Sequence, residues 1–470
     1  MKIIDALKAR WSEQGGYREI IKMAVPLILS TGATSILHFV DRIFLTWYSS
    51  VSIAAAMPAG ILNFTLMSLF IGTTSYVSTF VAQYHGAKNP TRIGPSLWQG
   101  IYIAIAGGVI IFSISFASKP IFAFFGHEQT IQNEEALYFA ILSKGALFPI
   151  LAGAFAGFFS GRGKNWPIMW VNFIMTAINI ILDYIFIFGK LGFPEMGIRG
   201  AAFATIIAGA SSCTLYILLV FRRKYNAEFK TISGWRPDRK LLGRLIRFGL
   251  PSGVQFFIDI SGFTVFILLV GRIGSAELAA TGITFNINTL AFMPMMGFGV
   301  AITVLVGQFV GSENPEKAER TVYSGVHLCF IYMTTIALAY VLVPQIFLVA
   351  FSAKADPAQF EPVRNFIVVM LRFVAVYTMF DTSIIVFASA LKGAGDTRFV
   401  MIMIVCLSIG GLAIPSYIAI AVLEVGVFAA WYIISGYIFL LAITFLLRFL
   451  SGKWKGMRVI EQPGDAKRVG

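Results

Sequence analysis

Apolar residues along the chain come in runs near or above twenty, separated by short polar stretches, with no alternation of period two. Runs of that length cross a bilayer as helices, and the missing alternation argues against a membrane β-barrel. Twelve segments can be drawn, at about 20–47, 54–83, 95–118, 134–159, 166–189, 198–221, 245–271, 278–308, 320–349, 364–391, 398–422 and 426–449. The pattern predicts an all-α polytopic membrane protein with twelve transmembrane helices.

The second segment closes on QYHGAKNP (83–90) and the eighth on QFVGSENP (308–315), a near-copy 225 residues later. The match extends without gaps at that offset. Pro26 meets Pro251, Val40 meets Val265, Asn63 meets Asn288, Gly72 meets Gly297, Val81 meets Val306 and Gly100 meets Gly325. MGIRGAAFA (196–204) echoes VGVFAAWYI (425–433) at a slightly different offset. Six segments, a basic linker at 222–247 and six more make a duplication, expected as an N-lobe over 1–235 and a C-lobe over 236–470. Six is even, so both halves enter the membrane in the same direction, giving a parallel repeat. A duplication kept only for packing is the alternative. In the turns themselves, Gly is expected to supply positive φ and Asn-Pro to end one helix and start the next stretch.

Composition sharpens this picture. Of 470 residues, 57% are apolar and only 13% are charged, too few polar residues for a soluble domain of that size. The net charge of +14 would suit a nucleic-acid binder, but its placement points elsewhere. With the N-terminus inside, most Lys and Arg fall in the cytoplasmic stretches, above all the linker and the tail from Arg448, and the external loops are nearly bare. The basic excess is therefore topological, with contact to anionic lipid, and nucleic acid is not expected as a partner. MKIIDALKARWSEQ is amphipathic and lacks the apolar region of a cleavable signal. Cys213, Cys329 and Cys406 are scattered through predicted helices, and the four His residues form no catalytic or metal pattern, so an enzyme is not expected.

Acidic residues deep in apolar helices are costly and point to function. Asp41 lies in the first segment and Asp183 in the fifth, each about six residues, roughly 9 Å, below the external end. Asn179 sits one turn below Asp183 on the same face. Asp259 in the seventh segment and Asp381 in the tenth lie about a dozen residues from the cytoplasmic side, with Tyr377 one turn from Asp381. Two carboxylates at matching depth in each lobe can share a proton or, with Asn and backbone oxygens, hold a hard cation such as Na⁺. An intramembrane salt bridge to Arg42, Lys144 or Arg372 is the other reading.

With these features the chain resembles the MATE (multidrug and toxic compound extrusion) family in its prokaryotic NorM/DinF-like form. The resemblance covers residues 18 to 450. It rests on Pro26 opening the first segment, VAQYHGAKNP closing the second, GLPSGVQFFID opening the seventh, VGQFVGSENP closing the eighth and ALKGAGDTRF leaving the tenth. It implies two six-helix lobes in a V that opens alternately to each side, exporting drugs against H⁺ or Na⁺ influx. The family's first-helix acid falls on Asp41, and its N-lobe Asn and Asp on Asn179 and Asp183. The sixth-helix Thr of some members is displaced, with Ala201 at the expected spacing and Thr205 one turn further. The C-lobe acid, Glu in the NorM-like branch, matches Asp259, and the tenth-helix Asp with its preceding Tyr matches Asp381 and Tyr377. Bending of the family's first helix is proposed to follow protonation of its acid, which makes Pro26 a hinge. Pro251 has Phe266 where Pro26 has Asp41, so a structural role for both prolines stays open.

The expectation is therefore a cation-coupled antiporter for small amphipathic, cationic compounds, a monomer in the prokaryotic inner membrane with both termini cytoplasmic. It needs no cofactor; its coupling ion is H⁺ and/or Na⁺, bound at Asp41, Asn179 and Asp183 or at Asp259 and Asp381. Its partners are small-molecule substrates and membrane lipids, and AFMPMMGFG (291–299) is expected to line the cavity adaptably. A lipid-linked glycan flippase of the same architecture is the alternative, disfavoured by the scarcity of cavity cations beyond Lys144 and Arg372.

Overall fold

A computed structural model of the chain describes residues 10–352 and 357–461; residues 1–9 of the amphipathic start lie outside them. In a bilayer every backbone polar group must be satisfied within the chain, and the described residues form helices and turns only. The first half contains α1 (Tyr17–Tyr48), α2 (Ser50–Ser75), α3 (Val77–Gly86), α4 (Ile93–Ile114), α5 (Ser118–Phe125), α6 (Gln129–Lys144), α7 (Leu147–Ser160), α8 (Trp166–Phe188) and α9 (Ile198–Val220). The short α10 (Arg223–Phe229) lies in the linker. The second half contains α11 (Arg239–Val270), α12 (Ser275–Gly311), α13 (Pro315–Leu342), α14 (Pro344–Ser352), α15 (Pro357–Ala394), α16 (Thr397–Leu407), α17 (Ile414–Tyr417) and α18 (Val427–Leu450).

Among the described residues, 11 spans are long and apolar enough to cross a membrane, and the pair α6–α7, bent by 42°, brings the number to 12. The local sequence favours that bend. A Cβ on Gly145 would meet Ile206 Cγ1 at 2.4 Å, so glycine lets α9 approach closely there. Pro149 in the first turn of α7 suits a restarted helix, where its missing N–H is tolerated. Several helices run past the apolar segments drawn from sequence, because polar residues cap them. Ser49 Oγ accepts from the Val51 and Ser52 amides, and the Asn314 side chain accepts from the Lys317 amide.

The duplication is visible contact by contact. A Cβ on Gly100 would lie 2.4 Å from Val77 Cγ2, and one on Gly325 2.6 Å from Ile302 Cδ1, the same pair displaced by 225. Buried Asn63 donates to Ser143 Oγ on α6 (2.9 Å), and Asn288 donates to the Tyr377 hydroxyl on α15 (3.3 Å). Each half has an inner helix with matching neighbours, α7 on α4 and α9, α15 on α13 and α18. The later turns repeat at 232 instead: Lys164 N donates to Phe159 O (3.0 Å) and Asp396 N to Leu391 O (2.9 Å).

The turns correct one expectation. The left-handed residues of GAKNP and GSENP are Lys88 (φ 54°) and Glu313 (φ 60°), not the first glycines. The amides of Asn89 and Asn314 close each helix by donating to Tyr84 O and Phe309 O, both at 2.9 Å. The glycine of the second copy has a different reason: a Cβ on Gly311 would sit 2.1 Å from Gln83 O.

The chain divides into two compact units. One takes Val25–Phe257, Gly311–Glu313 and the tail from Arg458; the other takes the residues up to Ala24, Ile258–Val310 and Asn314–Met457. The units therefore do not follow the two halves end to end. The 32-residue helices α1 and α11 are about 48 Å long, more than a bilayer needs, and each has one end in either unit.

The tail is seated within the first of these units. Val459 and Ile460 are buried in one core with Phe80, Tyr84, Leu241 and Leu245, and the Val459 amide donates to Gln83 Oε1 (2.9 Å). Glu461 accepts from Arg244, from the Tyr84 hydroxyl (2.7 Å) and from Arg92 (2.9 Å). Burial alone would raise its carboxyl, but those hydrogen bonds prevail and hold it down to about 2. A carboxyl held below its unfolded value stabilises the seat above about pH 4, and loses that contribution as pH falls towards 2. Glu461→Gln should reproduce the loss at neutral pH. Hydrogen exchange at the Val459 amide should then accelerate at least about tenfold, as expected for roughly 1.4 kcal/mol of seating free energy; unchanged exchange would contradict the assignment.

Candidate functional site

The N-terminal site follows from the register of two helices. Asn172 on α8 donates to Ser30 Oγ on α1, and Thr176 Oγ1 donates to Ala33 O (3.3 Å), pairs separated by 142 and 143 residues. Carried two turns further along both helices, the same offset sets Leu37 beside Asn179 and Asp41 beside Asp183. The aromatic contacts continue the match, with Phe44 6.0 Å from Tyr184 and 5.9 Å from Phe188 between ring centroids. The charges of Asp41 and Asp183 act on one another, and both act on Tyr138 of α6.

These groups are short of partners. Asn179 and Asp183 are 0% exposed, and neither oxygen of Asp183 nor either polar atom of the Asn179 side chain has a hydrogen-bond partner. Asp41 Oδ1 is also buried without one. Arg42 bears electrostatically on Asp41 but is exposed, and no ion pair joins it to either acid among the described residues. Thr205, on α9, donates its hydroxyl to Ala201 O (3.0 Å), which leaves its oxygen lone pairs as the part able to ligate a cation. The oxygens of Asp41, Asn179, Asp183 and Thr205 are the donor types that suit Na⁺, and the two carboxylates can equally share a proton.

The C-terminal site is differently balanced. Asp259 of α11 acts electrostatically on Asp381 of α15, but Asp259 is exposed and Asp381 half-buried. Tyr377, one turn before Asp381, is held by Asn288 and lies over Trp431, ring centroids 6.4 Å apart and planes 24° from parallel. Two further groups belong to this cluster. Lys392 feels the charge of Asp259, and Tyr437, paired with Ser408 Oγ at 2.9 Å, feels both acids. Arg372 and Lys144 are exposed and form no ion pair with the site acids among the described residues.

Pro26 is buried inside an unbroken α1, the second residue past the division between the two units. Of the run expected to line a cavity, Met295 is instead fully buried in a core with Ile302, Val386 and Leu391, while Met296 is 46% exposed. Successive residues of a helix face different ways, so the run cannot act as one surface. Tyr138, Lys392 and Tyr437 are not among the residues that the sequence singles out. Tyr138 and Tyr437 stand in ordinary aromatic-rich segments, and Lys392 sits in ALKGAGDTRF, where it reads as part of a turn.

A duplicated bundle of membrane-spanning helices, with paired acids inside each copy, defines a membrane transporter. The MatE family model matches residues 26–185 and 251–418, most of both halves. The "Probable multidrug resistance protein NorM" of Thermotoga maritima is 27% identical over 446 residues, 94% of each chain. A protein of the same name from Agrobacterium fabrum is 29% identical, over 67% of this chain and 69% of its own. An outward-facing multidrug resistance MATE family transporter of the MOP superfamily superposes with a TM-score of 0.85, covering 94% of this chain and 97% of that one. At 20% identity that likeness speaks to the fold alone. The chain belongs to the MatE family, and it is a transporter rather than an enzyme.

The contrast between the two acid pairs has a measurable consequence. With no cation of the described residues paired to Asp183, ionising both N-terminal acids should oppose folding. Asp183→Asn should therefore raise the unfolding temperature in detergent at alkaline pH by a few degrees, and Asp259→Asn should not. Equal shifts for the two variants would refute the contrast.

Proposed function

We propose that this chain is a multidrug exporter driven by inward cation flux, a proton antiporter whose coupling site is Asp41 with Asp183. One observation carries the choice of site: two neighbouring carboxylates, one of them fully buried, have no cation paired to them among the described residues. Such a pair favours taking up one positive charge. The relatives' names support drug export, and the family membership supports transport. Na⁺ is the second reading, favoured by the four oxygen-bearing side chains Asp41, Asn179, Asp183 and Thr205.

Loading the site with a cation removes negative charge from the interior of the N-lobe. That weakens the hold on a cationic, amphipathic substrate, and substrate binding in turn disfavours the loaded site. Competition of this kind produces exchange once the lobes, residues 1–235 and 236–470, alternate in access. Pro26 and Pro251 supply the flexible points, since each removes one backbone hydrogen bond from a long helix. Asp259, Asp381 and Tyr377 form a second, partly neutralised station beside Lys392, suited to holding substrate or a second ion. The protein works in the prokaryotic inner membrane, with both termini on the cytoplasmic side by the charge rule. The flippase reading loses ground because Lys144 and Arg372 supply no cluster with these acids.

The test is ethidium efflux from proteoliposomes under an imposed pH or Na⁺ gradient. Asp41→Asn should insert and fold normally, because the amide keeps the shape and removes a buried charge, yet proton-driven efflux should fall by at least about a hundredfold. Normal efflux by the well-folded variant would defeat the assignment, and efflux driven by Na⁺ alone would replace the proton.

A further inference from the structure

A second buried acid lies on α6, outside the site. Glu135 is 0% exposed, and its Oε1 meets His127 Nδ1 at 2.8 Å. Its Oε2 is buried with no hydrogen-bond partner. His127 is 43% exposed in its side chain and stacks on Phe125, with ring centroids 6.3 Å apart. A buried carboxylate oxygen left unpaired is costly, and calls for an explanation that a structural cap does not supply. Glu135 thus joins a water-accessible imidazole on one side to an unsatisfied oxygen on the other.

The position of Glu135 gives that oxygen a destination. Tyr138 is three residues further along α6, hence on the neighbouring turn of the same face, about 5–6 Å away between Cβ atoms. Tyr138 in turn lies within the field of Asp41 and Asp183. The elements packed on α6 are α2, α4, α5, α9 and the turn Ser115–Ala117. Their charged side chains are Lys119 of α5 and Arg199 of α9, both exposed; α2, α4 and the turn carry none. Their other titratable groups are Tyr102 of α4 and Cys213 and Tyr216 of α9, far along those helices from the His127 end. On its own segment, Glu128, Glu134, Tyr138 and Lys144 complete the set. Among the described residues, the imidazole is the one basic group paired with Glu135.

We propose that His127 and Glu135 form the entry station through which protons reach the Asp41–Asp183 pair, a role that rests on the proton reading above. Hydronium protonates His127 at Nε2 and leaves water. The Nδ1 proton then passes to Glu135 Oε1: an N–H bond breaks, an O–H bond forms, and a neutral imidazole and neutral carboxylic acid remain. The acid releases its proton through a bridging water near Tyr138 to the acid pair and returns to carboxylate, while water takes the Nε2 proton from His127 and returns one to Nδ1, restoring the starting tautomer for the next.

The experiment uses the full chain in proteoliposomes, with ethidium as substrate and a trapped pH dye reporting proton flux. Glu135→Gln should slow both fluxes at least about tenfold, because a positioned proton carrier is removed. Acidifying the His127 side should also raise efflux less in this variant than in the wild type. His127→Gln, whose amide can still donate to Glu135, should lose the same dependence on acidity while remaining folded, and it decides the matter if Glu135→Gln does not fold. Wild-type profiles in both Gln variants, with Asp41→Asn inactive, would overturn the entry station and leave the coupling site standing. Wild-type efflux by Asp41→Asn would remove both.

Discussion

The N-terminal site depends on the register of α1 against α8. Two hydrogen bonds, from Asn172 to Ser30 and from Thr176 to Ala33, lock the helices side by side. In a membrane there is little hydrophobic drive between helices, so such polar contacts and close packing decide how they slide. A slip of one turn would carry Asp41 past Asp183 by about 5.4 Å and separate the charges that the site brings together. The acids themselves repel, so they cannot set this register. It is imposed two and three turns away.

Duplication supplies the scaffold without dictating the chemistry. The contacts Gly100–Val77 and Gly325–Ile302 are the same contact made twice, and Asn63 and Asn288 play matching parts. Yet Phe266 stands where Asp41 stands in the first copy. The second copy takes its acids from other positions and sets Lys392 near them, so its charges are partly balanced. Among the described residues, one half is left with an acid pair that no ion pair joins and the other with a mixed cluster. That asymmetry is the physical basis for assigning them different work.

The ends of the chain extend this logic away from the sites. Tyr17 pairs with His327 of α13 at 2.8 Å, and Glu13 with Arg320 at 2.9 Å, so the entrance to α1 is tied into one unit. Glu461 ties the far end of the chain into the other through Arg92, Arg244 and Tyr84. Both ties use Arg or His with carboxylate or hydroxyl, partners that hold direction as well as charge. Pro26 follows the first tie closely, at the place where α1 passes from one unit to the other.

Much of this was legible in the chain itself. Apolar runs longer than a bilayer require helices, because an unpaired backbone cannot sit in lipid, and the offset of 225 announces the repeat. Asp41, Asp183, Asp259 and Asp381 stand out because a carboxylate among twenty apolar residues is conspicuous by composition alone. Tyr138, Tyr437 and Lys392 do not, since an aromatic or a Lys near a helix end looks the same whether it faces lipid, core or site. The turn glycines mislead for a related reason: positive φ falls to Lys88 and Glu313, while Gly311 is required by the backbone of Gln83, more than two hundred residues away. Sequence determined the helices, their number and the acids they carry, because those follow from local hydropathy and spacing. Only the tertiary structure decided which acids meet, which lack a counter-charge and where Glu135 leads, because each depends on side chains that separate helices bring together.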